Sequence, residues 1–250
     1  MSIEKSTRLT DIQLEKKDLL KIYQCLYRHY GNRNWWPADS PFEVIIGAIL
    51  TQNVSWPNAK KAINNLKSKN LLDAQRLNKS DATEIAPLII SSRYYNMKAQ
   101  KIKNFLDFFF EDYNGDLISM SNDEMIPLRK KLLKIKGLGE ETVDSILLYA
   151  CGKPIFVVDA YTKRIFSRYG FVDENARYRD VQSFFMDNLP EDIELYNDFH
   201  AQVVHLGNLI CKRQPECDKC PIKKINNKIK CRYNSVQMIG TKNKLIGSQL

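Results

Sequence analysis

The sequence predicts an all-α protein, on three observations. Apolar residues recur three and four positions apart through most of the chain, as at Leu19, Ile22 and Leu26, which is the period of a helix face. No stretch sustains the apolar–polar alternation of a strand, and the apolar run 154–158 is too short to start a sheet. Residues that break helices separate the periodic segments.

Helix breakers mark the boundaries of the predicted elements. Pro37 and Pro41 precede the second helix. Gly137 and Gly139 interrupt the chain before the helix that starts at residue 140, and Gly152 follows that helix. The predicted helices span residues 14–30, 42–52, 56–68, 80–88, 95–112, 122–134, 140–151, 159–169, 177–188 and 192–210.

Composition places the chain among globular proteins. It has 250 residues, 44% of them hydrophobic, and too few Gly and Pro for a disordered or collagen-like chain. The first residues are polar and of mixed charge, and no run reaches the roughly 18 apolar residues of a membrane span. We therefore expect a soluble cytoplasmic protein with no signal peptide and no membrane partner.

The positive charge is concentrated at the C-terminal end. The net charge is +9, and residues 211–250 hold ten Lys or Arg against only two acidic residues. Such a surface attracts a phosphate backbone. A solvated basic tail without a partner is the alternative.

Four of the six cysteines cluster in the same region. Five residues separate the first pair, two the second and ten the third, in the series Cys211, Cys217, Cys220 and Cys231. Disulfides are rare inside cells, so this clustering indicates metal ligands. Four thiolates suit either a four-iron four-sulfur cluster or a structural zinc ion, and spacing does not decide between them. The remaining two, Cys25 and Cys151, lie in helical patterns and are interpreted as packing residues.

The most specific local signal is a turn between two helical patterns. Gly137-Leu138-Gly139 stands between the helix that ends near residue 134 and the one that begins at residue 140. Glycines permit positive φ, and the backbone N–H groups at such a turn can hold a phosphate. A tight helix connection without a ligand gives the same pattern.

An aspartate follows at a suggestive distance. Asp159 comes twenty residues after Gly139, which leaves room for one helix and a returning loop. An Asp that opens a helix is ordinarily an N-cap, and this alternative stays open.

Together these motifs resemble the endonuclease III branch of the helix-hairpin-helix DNA glycosylases. The resemblance covers roughly residues 18–231 and includes Leu50-Thr51-Gln52-Asn53, the segment 94–99, the glycine turn, Val158-Asp159 and the four cysteines. It implies an enzyme that cuts the bond between a damaged base and its sugar. The implied partner is double-stranded DNA that contains a damaged base, bound by a monomer.

The resemblance also implies roles for single residues. Asp159 would stabilise the cationic sugar of the transition state and assist the attacking water, while Gly137 and Gly139 would grip the DNA backbone. Gln52 would fill the gap left by the extruded base. Tyr94 would wedge the opposite strand, with a core aromatic as the alternative.

One departure from the endonuclease III pattern bears on the reaction. Strand-cleaving relatives carry a nucleophilic lysine two residues after the last hairpin glycine, where this chain has Glu141. A carboxylate forms no Schiff base, so we expect a monofunctional enzyme whose lyase reaction is lost or vestigial.

The tryptophans point to a substrate. Trp35, Trp36 and Trp56, together with Glu141, resemble the branch that removes 3-methyladenine and other alkylated purines. Indole faces attract cations, and an N-alkylated purine is cationic. The alternative is that the tryptophans form hydrophobic core. Oxidised pyrimidines or mismatched thymine and uracil remain alternative substrates, and a noncatalytic DNA-binding or metal-sensing module is a further alternative.

The resemblance favours a four-iron four-sulfur cluster with a structural role. The family spacing of six, two and five residues differs from the one in this chain, which places Cys231 in most doubt as a ligand.

The predicted domains are a helical domain with the hairpin at 43–157, a second helical domain that combines 1–42 with 158–231, and a flexible tail at 232–250.

Overall fold

The computed structural model describes residues 16–225, together with residues 231 and 233. Within these residues the secondary structure is helical and no β-strand occurs, so the predicted all-α class is confirmed. Apart from residue 233, the predicted tail 232–250 lies outside the described residues.

The described α-helices fall close to the predicted positions. In chain order they are α1 (Lys16–Tyr30), α2 (Pro41–Leu50), α3 (Trp56–Ser68), α4 (Ala74–Lys79), α5 (Ala82–Ile85), α6 (Tyr95–Tyr113), α7 (Leu117–Asn122), α8 (Met125–Leu132), α9 (Glu140–Ser145), α10 (Ala160–Tyr169), α11 (Tyr178–Asn188) and α12 (Ile193–Leu209). Two 3₁₀ segments, Ala86–Ser92 and Cys217–Lys219, complete the described helical structure together with the π-helical turn Ile146–Ala150.

Two short helices were not predicted. α4 and α7 have six residues each, which is too short for an apolar period to show. Each begins at an aspartate whose carboxylate accepts hydrogen bonds from backbone N–H groups of the first turn, Asp73 for α4 and Asp116 for α7. These caps were the only sequence signal for either helix.

The described chain forms two compact units. One comprises residues 33–159 and 191–201, and we call it the hairpin unit. The other comprises the described residues of 1–32, 160–190 and 202–250, and we call it the cysteine unit. The domain boundaries predicted from the sequence stay a prediction.

α2 is the central helix of the hairpin unit. Eight of its ten residues are buried, and it packs against α3, α6, α9 and the π-helical turn. Ser40 caps it by accepting a hydrogen bond from the Glu43 N–H, and Pro41 supplies the fixed φ of its first turn. A helix that is apolar on nearly all sides is stable only when surrounded in this way.

The residues that lead to Asp159 are extended and buried. Ile155, Phe156, Val157 and Val158 are all at most 3% exposed, yet they pair with no strand within the described chain. The Phe156 ring meets two rings of α12 edge to face, Tyr196 at 5.6 Å and Phe199 at 6.0 Å. This packing fixes the segment before Asp159 against the helix that carries His200.

A π-helical turn interrupts the helix that follows the hairpin. α9 continues directly into Ile146–Ala150, where the Cys151 N–H donates to the Ile146 carbonyl five residues back at 3.1 Å. The wider turn holds one more residue than an α-helical turn does, and such turns are frequent at functional sites. Tyr149 lies within it.

The cysteine unit has its own apolar core. Leu19, Ile22 and Leu26 line one face of α1 and are fully buried. Phe166 of α10 and Phe185 of α11 pack edge to face, with ring centroids 4.6 Å apart. No helix in the described part of the chain is long and apolar enough to cross a bilayer.

Candidate active site

The predicted hairpin is present and is exposed to solvent. Gly137 adopts φ +100°, which an L side chain adopts only with strain, and Gly139 stands at the N-cap of α9. The helices on either side are joined by a bidentate ion pair, in which the Arg129 guanidinium contacts both oxygens of the fully buried Asp144 carboxylate at 2.6 and 2.9 Å. This pair holds α8 against α9 below the turn.

Gln52 lies against the hairpin. Its amide nitrogen donates to the Gly137 carbonyl at 3.2 Å and to the Thr142 hydroxyl at 2.9 Å. Its amide oxygen accepts from Lys101 Nζ at 2.5 Å. The aliphatic part of the same lysine covers Gly137, where a Cβ would lie 2.5 Å from Lys101 Cγ. Gln52 and Lys101 therefore form one hydrogen-bonded group with the glycine turn.

A basic groove joins Gln52 to Tyr94. The side chains that line it are Gln52, Asn53, Arg93, Tyr94, Met97, Lys98 and Lys101, none of which is acidic. Tyr94 is 61% exposed, so it is not the core aromatic that the sequence left as an alternative. Arg93 and Tyr94 both have positive φ, 55° and 43°, directly before α6 begins. This strained pair presents Tyr94 to solvent at the rim of the groove.

Lys98 is buried beneath the groove. Its ammonium group donates to the Leu50 carbonyl at 2.7 Å and to the Ser92 carbonyl at 2.6 Å, and only 2% of the residue is exposed. Burial, with a smaller contribution from Lys101, lowers the pKa of Lys98 to about 8. Lys98 thus ties the end of α2 to the segment that precedes Tyr94.

The three tryptophans form one half-buried cluster. Ring centroids lie 5.1 Å apart for Trp35 and Trp36, 5.5 Å for Trp35 and Trp56, and 5.3 Å for Trp36 and Trp56. The Trp36 ring packs over Gly47 of α2, where an added Cβ would lie 3.2 Å from Trp36 Cζ2. The indole N–H of Trp36 is buried and has no hydrogen-bond partner among the described residues.

Aromatic and polar contacts lead from this cluster to Asp159. Tyr149 lies 5.6 Å from Trp36 between ring centroids, and its hydroxyl is 2.5 Å from His200 Nδ1. His200 Nε2 is 3.8 Å from Asp159 Oδ2. Burial lowers the pKa of His200, although the Asp159 carboxylate acts in the opposite direction. Burial and then the same carboxylate raise the pKa of Tyr149 well above its usual value.

Glu141 lies in the first turn of α9 and is exposed. Its carbonyl accepts a hydrogen bond from the Ser145 hydroxyl at 2.7 Å, and the next residue, Thr142, is the one that holds Gln52. The structure thus brings the predicted site residues into two groups. The first group, which we call the hairpin face, consists of Gln52, Tyr94 and the glycine turn. In the second group, Asp159 and the tryptophans are joined through Tyr149 and His200.

Sequence reasoning missed Tyr149, His200 and Lys101. The available signal was a polar ring within an apolar helical run, as in Leu147-Leu148-Tyr149-Ala150 and Phe199-His200-Ala201. Such a signal indicates that a polar group is buried, but it does not say what that group faces.

The four cysteines of the cluster line one pocket of the cysteine unit. Burial, and then the neighbouring thiols of Cys211, Cys231 and Cys217, raise the pKa of Cys220 to about 12, since several thiolates so close together repel one another. A cationic metal group would relieve that repulsion, so the donor set fits a group that takes four thiolates. The described residues contain no cluster of three or more His, Cys, Asp or Glu arranged around a single ion.

Two arginines of α10 hold the cysteine loop. Arg168 donates to Cys211 Sγ at 3.2 Å and to the carbonyls of Lys212 and Arg213 at 2.7 and 3.0 Å. Arg164 donates to the Cys211 carbonyl at 2.8 Å. These bonds fix the start of the loop independently of any bound group.

Comparison with known proteins defines the family. Residues 46–191 match the profile described as HhH-GPD superfamily base excision DNA repair protein. The chain is 45% identical to the Methanocaldococcus jannaschii protein named "Putative DNA repair glycosylase MJ1434", over 82% of this chain and 94% of that protein. It is 30% identical to endonuclease III of Sulfolobus acidocaldarius, over 85% of this chain and 89% of that enzyme.

Solved structures agree in fold. The H. pylori 3-methyladenine DNA glycosylase MagIII, bound to 1,N6-ethenoadenine, superposes with a TM-score of 0.68 at 25% identity, covering 77% of this chain and 97% of that one. A trapped endonuclease III–DNA covalent intermediate superposes with a TM-score of 0.76 at 22% identity, covering 90% and 100%.

The chain belongs to the HhH-GPD superfamily of base excision DNA repair proteins. It is a DNA glycosylase, an enzyme that hydrolyses N-glycosidic bonds, and DNA is its partner. The noncatalytic alternative is therefore set aside.

Replacing Lys98 is expected to remove a pH dependence of stability. Between about pH 8 and the ordinary lysine pKa of 10.5, the unfolded chain binds the Lys98 proton more readily than the folded chain does, so the free energy of unfolding rises with pH. Below about pH 8 the contribution is constant. The difference in unfolding free energy between wild type and Lys98→Met, from urea titrations, should therefore increase across that window.

The exposed Lys60 provides the matched control. The difference between wild type and Lys60→Met should not change with pH. A difference for Lys98→Met that is flat or falls with pH would show that Lys98 keeps an ordinary pKa in the folded protein.

Proposed function

We propose that this glycosylase removes alkylated purines of the 3-methyladenine type from duplex DNA by hydrolysis alone, acting as a monomer. One observation carries the proposal: the cluster of Trp35, Trp36 and Trp56 is joined by Tyr149 and His200 to the Asp159 carboxylate. Electron-rich indole faces near a carboxylate suit a cationic base and a cationic sugar. The similarity to MagIII supports the same substrate class.

Each side chain has a separate role in the proposed reaction. Asp159 stabilises the positive charge that develops on the sugar as the N-glycosidic bond breaks and the base leaves with the bonding electrons. A water molecule attacks C1′ and loses its proton to the carboxylate. The indole rings of Trp36 and Trp56 hold the extruded base. An N-alkylated purine is already cationic and leaves as a neutral molecule, so no general acid is required.

The hairpin face contacts the duplex in this proposal. Gly137 and Gly139 present exposed backbone to a phosphate. Gln52 exchanges its bonds with the hairpin and Lys101 for contacts in the gap left by the extruded base, and Tyr94 enters the opposite strand. The basic groove between Gln52 and Tyr94 supports this orientation because it attracts the backbone.

We also propose that Cys211, Cys217, Cys220 and Cys231 hold a four-iron four-sulfur cluster with a structural role. When bound, the group supplies thiolate-to-iron bonds that secure the basic loop, whose lysines then face a phosphate backbone. Endonuclease III relatives support this choice over zinc.

The substrate proposal is tested by the bases that the enzyme releases. Wild type should release 3-methyladenine from methylated DNA, as read by chromatography. Asp159→Asn should slow release by at least about 100-fold, the usual cost of removing a group that stabilises transition-state charge. Its affinity for duplex DNA should be unchanged, because the hairpin face is intact.

Duplexes with single lesions separate the alternatives. Thymine glycol, T·G and U·G duplexes are expected to remain uncut by wild type. Relatives named endonuclease III and thymine/uracil-DNA glycosylase make these the relevant competitors. Preferential release from any of them would contradict the alkylpurine assignment while leaving the glycosylase activity in place.

Wild type should give no adduct when abasic DNA is treated with borohydride, because Glu141 forms no Schiff base. Glu141→Lys should create a trappable adduct, since it places an amine at the second residue after Gly139. Glu141→Gln is the control and should give none. An adduct with wild type would overturn the monofunctional assignment.

Anaerobically purified protein should be brown and absorb near about 400 nm, as iron–sulfur clusters do. Cys217→Ser should lose iron, whereas Cys151→Ala, which changes a buried cysteine of the hairpin unit, should retain it. If the purified protein is colourless and contains zinc, the four cysteines form a zinc site and the iron–sulfur assignment is wrong.

A further inference from the structure

We propose that His200 is a positioning residue that holds the Asp159 carboxylate through its Nε2–H group, while its Nδ1 accepts a hydrogen bond from the Tyr149 hydroxyl that fixes the imidazole. This inference rests on the proposed role of Asp159 in stabilising the cationic sugar. It does not depend on the identity of the base that is removed.

The first step concerns the tautomer. The Tyr149 hydroxyl and His200 Nδ1 are 2.5 Å apart, so one of them donates a hydrogen bond to the other. If Nδ1 donated, the lone pair of Nε2 would face the Asp159 carboxylate, which is repulsive. If the hydroxyl donates, Nε2 carries the hydrogen and faces Asp159 Oδ2 at 3.8 Å. The second arrangement is electrostatically favoured.

The second step concerns the unused hydrogen-bonding capacity of the imidazole. His200 is 6% exposed, and its Nε2 is buried without a hydrogen-bond partner among the described residues. A buried donor strongly favours an acceptor within reach. Catalytic hydrogen bonds are frequently long in the free enzyme and shorten in the complex, and a shift of about 1 Å in the Asp159 side chain closes this one.

The third step concerns charge. Burial lowers the pKa of His200, which keeps the imidazole neutral. A neutral donor orients the carboxylate without cancelling its negative charge, whereas a lysine or arginine at the same place would neutralise it. His200 therefore adds no positive charge beside the carboxylate that is proposed to face the cationic sugar.

The packing of the hairpin unit supports a fixed distance between the two residues. The segment before Asp159 is held against α12 by Phe156, whose ring meets Tyr196 and Phe199 next to His200. Tyr149 approaches the imidazole from the π-helical turn. The imidazole is thus fixed from one side by Tyr149 and faces the carboxylate on the other.

The test measures the preference for a cationic sugar mimic. Wild type is titrated with a duplex that carries a cationic pyrrolidine abasic analogue and with the same duplex carrying neutral tetrahydrofuran. We expect tighter binding of the pyrrolidine duplex, a preference that Asp159→Asn abolishes. His200→Ala should reduce the preference roughly 10-fold, the loss of one hydrogen bond to a charged group. Its affinity for the tetrahydrofuran duplex should be unchanged.

Conservative variants separate positioning from packing. The amide nitrogen of His200→Gln can replace Nε2 as a donor, so this variant should restore most of the preference, while His200→Asn should not. Tyr149→Phe should reduce the preference because the imidazole loses the hydrogen bond at Nδ1 that fixes it. His205→Ala, on the same helix, is the control and should behave as wild type.

Three outcomes would overturn the proposal. The first is that His200→Ala prefers the pyrrolidine duplex as strongly as wild type does. The second is that His200→Gln and His200→Asn show the same preference; this comparison tests the proposal even if His200→Ala does not fold. The third is a wild type that does not distinguish the two duplexes. That result would contradict the charge-stabilising role proposed for Asp159 itself. In that case Asp159→Asn and wild type would show the same relative affinity for the two duplexes.

Discussion

The role proposed for Asp159 requires a carboxylate that stays charged in a place from which water is largely excluded. The Asp159 side chain is 11% exposed, and burial of an ionised carboxylate is costly unless polar groups compensate. The polar neighbour that we propose for this task is His200, whose Nε2 lies 3.8 Å from Asp159 Oδ2. The fully buried Phe156 connects the segment before Asp159 to the helix that carries His200, so the position of the charge depends on the core of the hairpin unit.

The hairpin face follows a different principle. There Tyr94 is exposed, and the half-buried Gln52 is held by hydrogen bonds to Lys101 and to the Gly137 carbonyl. Hydrogen bonds at a surface exchange readily with those of a ligand, since each has a small net free energy. The proposed reacting centre and the proposed DNA-contacting surface are thus built from one unit, and buried Lys98 and the Arg129–Asp144 pair belong to the same unit.

The sequence predicted most of the fold because helical periodicity is a local property. It missed α4 and α7, whose six residues show no period and whose aspartate caps alone marked them. Asp159 and the tryptophans were singled out as site candidates because they occur in recognisable order along the chain, and their roles stay a prediction. Tyr149 and His200 were not, because they are 51 residues apart and meet only through packing. No spacing rule connects them, and nothing in the sequence signalled the π-helical turn.

That turn has a consequence for how the fold tolerates change. A residue in an α-helix is rotated by about 100° from its neighbour, so removing one residue from Ile146–Ala150 would restore an α-helical register and swing Tyr149 away from His200. Substitutions within the turn leave the backbone path intact, but single-residue deletions do not. The contact between Tyr149 and His200 therefore depends more on the length of this segment than on the identity of its apolar residues.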